Sequence, residues 1–158
     1  MPDMLVKLYQ LPPLKDAIET PLMSGITVRR GMGAEKHVLL NWIRATFGEH
    51  WVSETDNVFG RHPIACFVAT MDEKPVGFAC YDATLKGFFG PMGTDESVRG
   101  RGVGKALLLA ALWDMWAQGY GYAIIGGVGP AEFYTKSCGA VLIPDSSPGV
   151  YRGMLGTD

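Results

Sequence analysis

Charge is scarce in this sequence. Asp, Glu, Lys and Arg make up 19% of its 158 residues and nearly cancel, leaving a formal net charge of −2. Such a chain has no global positive field to draw in nucleic acid or an anionic membrane, so neither partner is expected, and any anion must be held locally. Long apolar runs are missing as well. The longest strongly apolar stretch, Ala106 to Trp113, is too short for a membrane-spanning helix. The opening residues Met1-Pro2-Asp3-Met4-Leu5 place an acid early and no basic flank, so they do not read as a secretory signal. The three cysteines, Cys66, Cys80 and Cys138, are odd in number and scattered, which fits neither a disulfide framework nor a zinc site. His37, His50 and His62 form no ligand cluster, so no metal is expected. The cytoplasm is the expected compartment.

What is present suits one globular domain with one core, at 47% hydrophobic residues. Residues 1–25 read as an N-terminal extension. A short strand-like stretch, Leu5-Val6-Lys7-Leu8-Tyr9, precedes a linker broken by Pro12, Pro13 and Pro21, with one helical turn around Asp16 to Glu19. The main domain is expected over 26–158. Ile26 to Arg30 is β-branched and reads as its first strand. Val38, Leu39, Trp42, Ile43 and Phe47 recur at helical spacing before Gly48, and a weaker helix signal covers Trp51 to Phe59. Strands at 65–70 and 76–81 flank the polar turn Met71 to Pro75, and a third strand, Gly87 to Gly93, extends the meander. Gly102 to Gln118 is the strongest helix, apolar on most faces and stopped by Gly119. A buried strand (122–127), a short helix (130–137) and two closing strands (140–143 and 149–155) complete the order βααβββαβαββ. That order predicts an α/β (α+β) fold: a mixed central sheet with an antiparallel meander, a β-α-β crossover and helices on both faces.

One segment carries chemistry. Val98-Arg99-Gly100-Arg101-Gly102-Val103-Gly104-Lys105 lies between a strand and the start of the strongest helix. The first turn of a helix leaves backbone N–H groups without intrahelical acceptors and carries the positive end of the dipole, which suits phosphate oxygens. Glycines let the main chain approach those oxygens with no Cβ in the way. Arg99, Arg101 and Lys105 add local positive charge. These features predict a phosphate or diphosphate seat. It is not a Walker loop, because Gly104-Lys105 is followed by Ala106 where Ser or Thr is required. It is not a dinucleotide fingerprint either, since the third glycine would fall on Leu107 or Lys105 according to register.

Arg99-Gly100-Arg101-Gly102-Val103-Gly104 resembles the Arg/Gln-x-x-Gly-x-Gly/Ala diphosphate loop of the GNAT superfamily of N-acetyltransferases. The preceding Gly90-Pro91-Met92-Gly93-Thr94-Asp95 is similar to that family's fourth strand and its exit. Ala131 to Ala140 is similar to its late Phe-Tyr-x-x-x-Gly helix, and the element order matches over residues 26 to 155.

The resemblance implies acetyl-CoA as co-substrate and transfer of its acetyl group to a primary amine of a small molecule or peptide, in a ternary complex. By position it assigns the diphosphate to Arg99, Gly100, Arg101, Gly102, Val103, Gly104 and Lys105. Pantetheine is assigned to Met92, Gly93 and Thr94, beside a bulge that splays the fourth strand from the fifth. It makes the Met92 N–H an oxyanion donor and Tyr134 the acid that protonates the departing thiolate, with a packing role as the alternative for Tyr134. For the general base, Glu54, Asp56, Asp82, Asp95, Glu96 and Glu132 all stay open. Trp51, Glu54 and Asp56 fall where the family shapes its acceptor pocket. The family's asparagine before the last helix is absent; Gly127-Val128-Gly129-Pro130 stands there. The acceptor stays open among small amines, amino sugars, antibiotics, amino acids and peptide termini, and so does a homodimer. A catalytically inactive CoA-binding sensor or partner-binding module of the same fold is the alternative function. Nucleic-acid binding through Arg99, Arg101 and Lys105 is opposed by the net charge and by the lack of an aromatic platform beside them.

Overall fold

In the computed structural model, which describes residues 1–156, the elements in chain order are β1 (Met4–Lys7), α1 (Leu14–Leu22), β2 (Thr27–Arg30), α2 (Lys36–Thr46), α3 (Glu49–Phe59), β3 (Cys66–Met71), β4 (Lys74–Tyr81), β5 (Phe88–Thr94), α4 (Val103–Ala117), β6 (Tyr122–Ile125), α5 (Ala131–Cys138) and β7 (Val141–Leu142). The last two positions of the expected 26–158 domain lie outside the described residues. The seven strands form one sheet in the order β2-β3-β4-β5-β6-β1-β7. Every pairing is antiparallel except β5 with β6, the pair joined through α4. The mixed sheet, its meander and its crossover are those the sequence predicts.

Alternation along β4 separates the two helical layers. A side chain added at Gly77 would strike Leu107 and Val103 of α4. The next residue, Phe78, faces the other way, into the rings of Trp42, Phe47 and Trp51 from the α2–α3 side. Helix α4 is therefore pressed between the sheet and α1, which explains its lack of a polar face. Ala106, Leu107, Leu108, Leu109, Ala111, Leu112 and Met115 are fully buried. Each such leucine contributes about 2 kcal/mol relative to an exposed one. Asp114 near its end accepts a bidentate pair from Arg30 (3.0 and 2.7 Å) and the Tyr81 hydroxyl, tying α4 to β2 and β4. Among the described residues no helix is long and apolar enough to cross a membrane.

Two parts of the sequence reading are corrected. Residues 1–25 are built into the sheet and core. Strand β1 lies between β6 and β7, with Met4 opposite Ile125 on one side and Leu142 on the other, and Met4, Val6 and Leu8 are buried. The prolines do not make a linker. Pro12 and Pro13 stand just ahead of α1, where a missing N–H costs nothing, and Pro21 falls in its last turn. The Trp113 indole N–H donates to the Pro12 carbonyl at 2.8 Å, and α1 packs on α4. Residues 149–155, expected as a closing strand, instead make a single 3-10 turn at Gly149–Tyr151. Gly149 and Gly153 both take positive φ (+59° and +73°), which interrupts extended backbone, and β1 already holds the place beside β6.

Because β1 is an interior strand, Met4→Ala should lower unfolding free energy by about 3 kcal/mol in denaturant titration. A loss under about 0.5 kcal/mol, the usual size for an exposed site, would contradict this placement.

Candidate active site

The site begins with a local insertion in β5. Tyr81 pairs with Phe89 and Ala79 with Met92, so two steps on β4 oppose three on β5. The extra residue is accommodated at Gly90-Pro91, with Gly90 at φ +114°. Beyond this point β5 leaves β6: their pairing consists of Phe88 with Ile124 and Phe89 with Ile125. Farther along, the Asp95 N–H donates to the Val76 carbonyl at 2.8 Å. By the antiparallel alternation, Phe78 and Gly93 exchange hydrogen bonds while Ala79 and Met92 do not. The Met92 N–H and C=O therefore point away from β4, toward the side that β6 has vacated.

The loop after β5 is anchored at both ends. Asp95 accepts from the Ser97 N–H (2.9 Å) and hydroxyl (2.7 Å), bonds that hold its carboxyl below the ordinary value. The Val98 side chain is buried. Gly100 and Gly102 take φ +81° and +78°, and α4 starts at once. The first intrahelical bond runs from Ala106 N–H to the Gly102 carbonyl, so the amides of Val103, Gly104 and Lys105 have no acceptor within the helix. The Arg99, Arg101 and Lys105 side chains are exposed, and Arg99 lies 3.6 Å from Glu96. The two glycines differ in purpose. A Cβ on Gly102 would come within 2.9 Å of Thr20 on α1, so its bareness serves helix packing. A Cβ on Gly104 would meet Phe133 across the cleft at 3.5 Å, an ordinary contact.

Two cavities meet here. The larger, about 710 Å³, runs from the loop along Met92, Gly93 and Thr94; of the loop and strand residues predicted for the donor, all but Arg101 line it. Phe47 and Trp51 roof it so closely that a side chain at Gly93 would fall 2.5 Å from the Phe47 ring. The smaller, about 480 Å³, lies past the bulge among Glu54, Thr84, Gly90, Gly126, Val128 and Tyr151. Trp51, Met92 and Tyr134 line both. The Tyr134 ring is buried edge-on against Phe89 and Phe133. Burial, and then the neighbouring Cys138 thiol, push its phenol up to about 12, so it remains protonated at neutral pH. Its hydroxyl makes no hydrogen bond among the described residues.

Of the six carboxylates open as a base, Glu54 alone lines the smaller cavity, where its Oε2 accepts from the Thr84 hydroxyl at 2.6 Å. Asp56 pairs with Lys36 and Glu132 with Lys136. Asp82 accepts from Tyr120 and from the Gly87 N–H, and Asp95 and Glu96 belong to the loop contacts above. Thr84 and Gly126 were not singled out from sequence. Neither was Asp3, whose Oδ1 accepts the Gly127 N–H at 2.9 Å. That bond steadies the stretch in which the family's asparagine is missing.

The sequence profile described as the "Acetyltransferase (GNAT) family" matches residues 36–140. The chain belongs to the GNAT family. Solved structures share this GNAT fold at low identity. One is a GCN5-related N-acetyltransferase from Sphaerobacter thermophilus, with TM-score 0.70 and 23% identity over 90% of this chain and 48% of that one. Another, from Kribbella flavida, has TM-score 0.59 and 20% identity over 89% and 53%. A third is described as a GCN5-related glucosamine N-acetyltransferase region of a fungal multi-domain β-N-acetylglucosaminidase, with TM-score 0.73 and 15% identity over 90% and 19%. The chain thus spans about half of the two bacterial proteins and a fifth of the fungal one. No match was found among curated proteins.

The contrast between the loop glycines predicts opposite stabilities. Gly102→Ala should destabilise by about 1–2 kcal/mol, through its positive φ and the Thr20 contact. Gly104→Ala should be neutral or stabilise by up to about 1 kcal/mol. Thermal or denaturant unfolding of the two variants checks the order.

Proposed function

We propose that this GNAT protein transfers an acetyl group from acetyl-CoA to a primary amine of a small molecule or peptide, by direct attack in a ternary complex. The observation that supports this most is the meeting of two cavities at Trp51, Met92 and Tyr134, one lined by unpaired helix-start amides and the other by a carboxylate. The larger cavity fits the donor. The amides of Val103, Gly104 and Lys105, with Gly104 bare beside them, receive the diphosphate, and Arg99 and Lys105 add charge. Met92 and Thr94 offer a free strand edge to the amide groups of pantetheine, much as a strand pairs with a peptide.

At the junction the Met92 N–H donates to the thioester carbonyl oxygen, where negative charge develops as the amine nitrogen bonds to the acyl carbon. Tyr134 gives its phenolic proton to the sulfur as the C–S bond breaks, then regains one from solvent. The ammonium must lose one proton before attack and the new amide nitrogen one afterward, so a base on the acceptor side is required. The aromatic roof of Phe47 and Trp51 keeps water from the thioester, which favours the amine over hydrolysis.

Three results are expected. Tyr134→Phe should cut kcat about 100-fold or more while CoA still raises the melting temperature as it does in the wild type; unchanged turnover would remove the phenol from the mechanism. With that phenol held near 12, kcat should show no alkaline loss between pH 8 and 10, as followed by thiol release. Gly104→Glu sets a carboxylate at the diphosphate seat while complementing the helix dipole, so it should abolish CoA protection without lowering the melting temperature of the free protein. Retained protection would place the donor elsewhere.

A further inference from the structure

Building on that transferase reading, we infer that the acceptor is an amine on an uncharged, apolar or aromatic body, and that Glu54 receives its ammonium and removes the proton that masks the nitrogen lone pair. Glu54 sits on the same face of α3 as Trp51, one turn later, and both line the smaller cavity. Its half-buried carboxylate is held through Oε2 by Thr84 at 2.6 Å, and no hydrogen bond to Oε1 is present among the described residues. Across the cavity, the Tyr151 hydroxyl lies 2.6 Å from where a Cβ on Gly126 would stand. Glu54 and Tyr151 both line this cavity, and burial first, then the charges of Glu54 and Asp3, raise the Tyr151 phenol. Phe89, Pro91, Ile125 and Val128 supply apolar wall.

The missing charges are as informative as the one present. Among the described residues, no Lys, Arg or His side chain lines this cavity. Met1 is among the lining residues, but its N-terminal ammonium is exposed and donates to Ser147 Oγ at 3.0 Å. A carboxylate or phosphate on the acceptor would enter beside Glu54 with no buried cation to meet it, a like-charge and desolvation penalty together. That argues against α-amino acids and sugar phosphates. A sugar ring would turn several hydroxyls toward Phe89, Ile125 and Val128, side chains that offer them no hydrogen bond. An alkyl or aromatic amine meets neither objection, and about 480 Å³ is within the range of small-molecule sites. The proton balance is simple. R–NH3⁺ gives one proton to the Glu54 carboxylate, leaving R–NH2 and a carboxylic acid, and Glu54 later releases that proton to solvent.

The test combines two readouts on the wild type and on Glu54→Gln, whose amide oxygen can still accept from Thr84. CoA protection in a thermal shift reports the donor side. Thiol release from acetyl-CoA with phenethylamine, phenylalanine or glucosamine reports the acceptor side. We expect phenethylamine to exceed both others in kcat/KM by about 100-fold. Glu54→Gln should keep full CoA protection and lose about 100-fold in kcat/KM for phenethylamine. Equal use of phenylalanine or glucosamine, wild-type kcat/KM in Glu54→Gln, or CoA protection with no transfer to phenethylamine would each overturn the inference and leave the donor reading standing. Absence of CoA protection in the wild type would overturn the donor reading itself.

Discussion

The parting of β5 from β6 is the constraint on which the site depends. A parallel pair with continuous hydrogen bonding would leave no exposed strand edge in the middle of a seven-stranded sheet. Here the ladder stops after Phe89 and Ile125, because Gly90-Pro91 adds a residue to one strand only. The resulting gap exposes the Met92 amide, sets the bare start of α4 at one end and opens a second cavity at the other. Ordinarily an unpaired interior edge would be a defect. In this fold it is held open from both faces, by α4 beneath Gly77 and by the Phe47–Trp51 roof over Gly93.

Burial sustains that opening. Helix α4, whose charged residues are Lys105 and Asp114, buries its apolar length against the sheet and α1, and it projects its first turn to the point where β5 ends. The electrostatics of the site therefore rest on main-chain groups whose positions follow from packing. This is how a chain with a net charge of −2 can carry local positive potential at the start of α4, where Arg99, Arg101 and Lys105 also lie.

Features governed by local chemistry were legible in the sequence. The run Ala106 to Leu112 announces its helix, and the polar turn at 71–75 announces a hairpin. Features set by distant partners were not. Strand β1 is four residues long and is recognised only by β6 and β7, while the prolines after it look like a linker until α1 is seen to start at Leu14. Val150 and Tyr151 have strand chemistry, yet the place such a strand would take is filled by the other end of the chain. Nothing nearby in sequence reveals that Thr20 leans on Gly102. Likewise, six carboxylates were equivalent until tertiary contacts gave five of them other partners or other surroundings.

The placement of β1 also bears on how the molecule is made. Met4 leaves the ribosome well before Leu142 and Ile125, between which it must finally sit. Vectorial synthesis can therefore assemble the meander early but leaves the far side of the sheet unzipped until residues beyond 140 have emerged, a topology that folds slowly. The Asp3 carboxylate grips Gly127 only when that closure occurs. A nascent chain thus carries a finished loop ahead of α4 before the far wall of the smaller cavity is complete.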